Sequence, residues 1–101
     1  MRLIQILLPL TDNDGAAFPE AVLRSIQQEQ VDRFGGLTAY ERSPARGIWQ
    51  RDGAQQKDEV VIVEVMSNNL DEDWWREFRK RVERELRQEK LIVRAIPCEE
   101  L

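Results

Sequence analysis

From Glu59 to Met66 the chain reads EVVIVEVM, and a run this rich in β-branched residues is a strand. Its nearly continuous apolar character implies burial on both faces, or one buried face and one covered by a partner. Such a strand needs neighbours along its edges and a layer to lie against. Two further apolar runs can supply the neighbours. Leu3 to Leu10 is too short between breakers for a convincing helix and is ended by Pro9 and the turn-forming TDNDG, while KLIVRAIP closes the chain.

The covering layer is equally visible. From Pro19 to about Phe34, the residues Val22, Leu23, Ile26 and Phe34, with Val31 beside them, recur at helical spacing. Pro19 suits the first helical turn and Gly35 a left-handed cap. A second helix starts behind Asp71, a capping residue, with Leu70 and Trp75 placed for a hydrophobic staple. Trp75, Phe78, Val82 and Leu86 follow at intervals of three and four. Its opposite face pairs Glu72 with Arg76, Glu77 with Arg81 and Arg79 with Glu83, the pattern of a solvated helix surface. Between the first helix and EVVIVEVM, Leu37 to Arg42 reads as a strand, interrupted at SPARG and resumed at Ile48 and Trp49. Proline donates nothing to a ladder, so this strand is expected to be bulged or to lie at an edge. QRDGAQQKD supplies the turn of a hairpin into EVVIVEVM.

The order βαββαβ over 101 residues predicts one α+β domain, residues 1–101, of ferredoxin-like plan: a four-stranded antiparallel sheet with both helices on one face. That plan orders the strands fourth, first, third, second. Alternation along each strand then sorts the faces. Ile4, Ile6, Leu8, Val61, Val63, Val65, Leu91, Val93 and Ala95 fall beneath the helices. On the open face lie Leu3, Leu7, Val60, Ile62, Met66, Ile92 and Ile96, with one polar residue per strand: Gln5, Glu64 and Arg94. In the expected strand order these three form a row Arg94, Gln5, Glu64. So apolar a face marks an interface, and a homodimer with two open sheet faces opposed is the natural way to cover it. Two readings of the row stay open: a network whose members satisfy one another inside the interface, or the polar floor of a small-molecule pocket. Tyr40 and Trp49, outside the helix pattern, are candidates for the mouth of such a pocket. Trp74 and Trp75 read as packing residues. Gly35 and Gly36 follow a helix instead of preceding one, which argues against a phosphate cradle.

Composition removes whole classes of function. The net charge of −4 argues against binding nucleic acid or an anionic membrane through phosphate neutralisation. With no histidine in the chain, Ser-His, Cys-His and His-metal chemistries are absent, and no metal or cofactor is expected. RNA binding on the open face is disfavoured because the two central strands carry no aromatic residue. The single cysteine, Cys98, has no intrachain partner and lies beside two glutamates, a setting that does not activate a nucleophile. A reducing, cytoplasmic location is the simpler expectation. MRLIQILLPL resembles a signal peptide only superficially, since its apolar run is short and contains Gln5. No segment has the roughly 20 apolar residues of a membrane span.

FGGLTAYE, GIWQRDG, DEVVIVEV and RQEKLIVRAI together resemble a family of small bacterial proteins known only as a domain of unknown function. The match runs from about Arg33 to Ile96 and implies no catalytic residues. The plan is similar to that of the dimeric α+β barrel proteins, which include cofactor-independent monooxygenases. The expectation is therefore a cytoplasmic homodimeric binding or structural module, with Gln5, Tyr40, Trp49, Glu64 and Arg94 as its candidate ligand-binding residues. The alternative is a cofactor-independent oxygenase or isomerase in which Arg94 or Glu64 polarises the substrate.

Overall fold

A computed structural model describes the backbone of every residue except 52 and 53, and the side chains outside 40–47 and 49–58. Its elements run β1 (Arg2–Pro9), α1 (Glu20–Phe34), β2 (Thr38–Arg51), β3 (Ala54–Ser67), α2 (Glu72–Glu85) and β4 (Ile92–Pro97). The strands form one antiparallel sheet in the order β2-β3-β1-β4. This is the ferredoxin-like βαββαβ fold.

The register follows the alternation in the sequence. Ile4 pairs with Val65 and Ala95, Ile6 with Val63 and Val93, and Leu8 with Val61. These rungs face the helices, and Ile4, Ile6, Leu8, Val61 and Val63 pack with Ile26, Trp75, Phe78, Val82, Leu86 and Leu91 in one buried cluster. The core thus joins one face of the sheet to one stripe of each helix, the condition that makes a two-layer domain stable. Phe34, Trp74, Trp75 and Phe78 fasten the end of α1 to the start of α2. Phe34 stacks on Trp75 with centroids 5.3 Å apart, and Trp74 stacks on Phe78 at 5.5 Å. The Arg33 guanidinium lies 4.3 Å from the Trp74 ring centroid, a cation–π contact. Both tryptophans of α2 are therefore committed to packing.

The helix ends obey local chemistry. Asp71 caps α2 by accepting from the Trp74 amide at 3.1 Å. Gly35 ends α1 at φ 83° and donates to the Val31 carbonyl at 2.8 Å, a conformation that a side chain would strain. Pro19 stands at the cap of α1, one residue earlier than the first-turn position expected, where its carbonyl accepts from Val22 at 3.0 Å.

Three local expectations need correction. SPARG does not interrupt β2: the strand is continuous, and the irregularity is a register shift between Tyr40 and Ala45 on an edge strand. A bulge lets the extra residues leave the ladder while pairing resumes beyond Pro44. The hairpin turn is also much shorter than QRDGAQQKD, because Arg51 already pairs with Ala54. Lastly, only one of the three helix-surface ion pairs forms as spaced: Arg76 reaches Glu72 at 3.5 Å, whereas Arg81 pairs with Glu29 on α1 and the Glu83 carboxylate accepts from the Leu91 amide at 2.8 Å. The Glu83 carboxylate thus satisfies a backbone amide that has no helical partner instead of the guanidinium four residues away.

Candidate functional site: the open face of the sheet

Gln5 stands on the central strand β1 and pairs in register with Glu64 on β3 and Arg94 on β4. Because paired residues share a face, the ladder alone puts the three side chains side by side. The Arg94 Nε donates to Gln5 Oε1 at 2.7 Å, and Gln5 Nε2 donates to Glu64 Oε2 at 2.6 Å. The amide is thus oriented by its flanks, carbonyl toward the cation and NH2 toward the carboxylate. Both bonds are charge-assisted. The row runs from the Arg94 guanidinium on β4 through the Gln5 amide to the Glu64 carboxylate on β3.

Around the row the face is apolar. Leu3, Leu7, Ile62 and Ile92 are half-buried, Met66 is 52% exposed and Ile96 39%. Leu3 pairs with Met66 and Ile96 on one side of the row, and Leu7 with Ile62 and Ile92 on the other. Val60, assigned to the same face by alternation, is only 7% exposed and adds nothing to the patch. Thr38 extends the row: it pairs with Glu64 and is exposed. The sequence offered a signal for it in the alternation Thr38, Tyr40 along β2.

The remaining two candidates fall differently. The backbone of Tyr40 pairs with Ile62, one rung along from Glu64. Trp49 pairs with Gln56, eight residues along β3 from Glu64, which is on the order of 25 Å at ~3.4 Å per residue. The ladder therefore separates Trp49 from Gln5, Glu64 and Arg94. The side chains of both aromatics lie outside the described residues.

On the other side of the sheet, α2 does not reach the end of β4. Val93 is half-buried there and Ala95 exposed, although both belong to the helix-side register. A groove of about 260 Å³ runs along this gap, lined by Ile4, Val93, Ala95, Leu70 and Trp75, by Glu72, Arg76 and Arg79 of α2, and by Arg94, whose guanidinium is turned to the open face. Among the described residues there is no group of three or more His, Cys, Asp or Glu side chains able to hold a metal ion, and no helix long and apolar enough to cross a membrane.

The architecture defines a class, the small ferredoxin-like α+β proteins, and solved structures of that class resemble the chain over nearly its whole length. A divalent cation tolerance protein, CutA1, from Thermus thermophilus superposes with a TM-score of 0.64 at 16% identity, covering 99% of this chain and 86% of that one. A point mutant of CutA1 from Pyrococcus horikoshii gives 0.56 at 16% identity, covering 100% and 86%. A phage SAM lyase in complex with S-methyl-5'-thioadenosine gives 0.62 at 16% identity, covering 97% and 90%. At such identities the likeness is one of fold. No protein-family model and no curated protein sequence matches the chain, so the resemblance drawn from FGGLT and the neighbouring motifs has no support from either comparison.

Proposed function

We propose that the chain is a self-associating binding module of the reducing cytoplasm, whose open sheet face is closed by a second copy, with the row Arg94, Gln5, Glu64 at the centre of the contact. The observation that carries this reading is the combination of a half-exposed apolar face with a charge pattern complementary to itself. In a two-fold dimer the same patch serves both partners. If the axis runs along β1, between the opposed sheets, it exchanges left for right across the strands. Arg94 of each copy then meets Glu64 of the other, and the two Gln5 amides face one another. An axis across the strands would bring Arg94 against Arg94 and Glu64 against Glu64, so the row favours one arrangement of the two available. Leu3, Leu7, Ile62, Met66, Ile92 and Ile96 would bury around this polar centre, the usual anatomy of an interface between copies. A small molecule held between the faces would be bound by Gln5, Glu64 and Arg94.

Charge reversal tests the arrangement. Wild-type protein is expected to sediment as a dimer at micromolar concentration, Arg94→Glu to dissociate at least about tenfold more readily through like-charge contacts, and the double variant Arg94→Glu, Glu64→Arg to return to the wild-type state. A monomeric wild type, or a dimer indifferent to Arg94→Glu, would sink the reading.

A further inference from the structure

We infer that the groove between α2 and the end of β4 binds a small organic anion, its charged group held by Arg79 and Arg76 and its apolar body resting on Val93, Leu70 and Ala95. This goes beyond the reading of the open face and does not depend on it.

Arg79 carries the argument. Its Nε is buried without a hydrogen-bond partner, and the side chain forms no ion pair among the described residues. The acceptor that helical spacing offers it, Glu83, gives its Oε2 to the Leu91 amide instead. A buried donor on a cation with no acceptor is costly, and such a group in a native protein calls for a water or an ion. Arg76, one turn earlier, is held only loosely, at 3.5 Å from Glu72 and 3.7 Å from Asp73. Arg94 also borders the groove, but its guanidinium is turned to the open face, where it donates to Gln5. Arg79 is thus the guanidinium of this groove with no carboxylate partner among the described residues, beside an Arg76 that Glu72 and Asp73 hold at its edge. Guanidinium forks match the oxygens of a carboxylate or a phosphate.

The floor sets the rest of the ligand. Val93, Leu70 and Ala95 present apolar surface above the buried Ile4 and Trp75, surface that a bare inorganic anion would leave in water. A volume of about 260 Å³ suits a compact ring or short chain bearing one anionic group. The gap exists because the helix layer stops short of the edge strand, so the site is open at that edge.

The test uses the whole chain, labelled so that the Arg79 Nε–H, Trp75 indole N–H and Ala95 amide resonances are followed. Phenyl phosphate is titrated in parallel with inorganic phosphate and with benzyl alcohol. The expected result is a saturable shift of all three resonances with phenyl phosphate, at least about tenfold tighter than with inorganic phosphate, and no saturation with benzyl alcohol. Arg79→Gln should weaken that binding about tenfold or more, and Arg76→Gln, on an exposed side chain that leaves the fold undisturbed, should weaken it as well. The inference is overturned if no shift saturates at these resonances, if inorganic phosphate binds as tightly as phenyl phosphate, if benzyl alcohol saturates, or if both variants bind like the wild type.

Discussion

Gln30 lies on the buried face of α1 at 0% exposure, and neither its Nε2 nor its Oε1 has a hydrogen-bond partner. It occupies the stripe Val22, Ile26, Gln30, Phe34, each four residues from the next, where three of the four side chains are apolar. Gln30→Met removes both orphaned polar atoms while keeping an unbranched side chain of similar length and nearly equal helix propensity. An unpaired buried polar group costs roughly 1–3 kcal/mol, and a volume-conserving replacement adds less than ~1.5 kcal/mol of repacking strain. The net expectation is a stabilisation of about 1–2 kcal/mol, or roughly 5–15 °C in Tm for a domain of this size. Urea denaturation followed by tryptophan fluorescence reads it directly, as a rise in the midpoint with the slope unchanged. Wild type and variant must be compared at one protomer concentration, since any self-association adds to apparent stability. A loss of about 1 kcal/mol or more would refute the reasoning, because it would mean that the amide is hydrogen-bonded in the folded protein.

Two further substitutions test the helix ends. Asp71→Ala removes the acceptor for the Trp74 amide and should cost about 1 kcal/mol; chemical denaturation showing no change would mean that the cap is not contributing. Gly35→Ala meets no neighbour within 4 Å but must hold φ near 83°, so it should lose about 1 kcal/mol from backbone strain alone, and an equally stable variant would contradict the left-handed cap.

Period-two and period-three-to-four patterns were legible because they reflect burial itself. EVVIVEVM and the Trp75, Phe78, Val82, Leu86 series belong to elements buried where the pattern places them, and the strand order follows from the order of elements. The row Arg94, Gln5, Glu64 could be read from the same alternation, since its three members need only the register to meet. What escaped depended on competition between partners. Glu83 has a guanidinium four residues away in sequence, but its carboxylate goes to the Leu91 amide. Gln30 escaped because a polar residue inside an apolar stripe looks like a gap in the pattern, when it is a member of it. The long reach of the hairpin escaped because Gln50 to Asp58 contains no apolar alternation, and pairing there rests on backbone hydrogen bonds that composition does not announce.

Both ladder partners of β1 are remote in the chain: Val60 lies opposite Pro9, and Pro97 lies opposite Arg2. The middle of the sheet is therefore built from the longest loops the molecule closes, and their entropy must be spent before the contacts return it. A chain emerging from the ribosome can assemble α1 and the β2–β3 hairpin early. It cannot complete its sheet until β4 has left the exit tunnel, so β1 waits through the synthesis of every other element for its second neighbour.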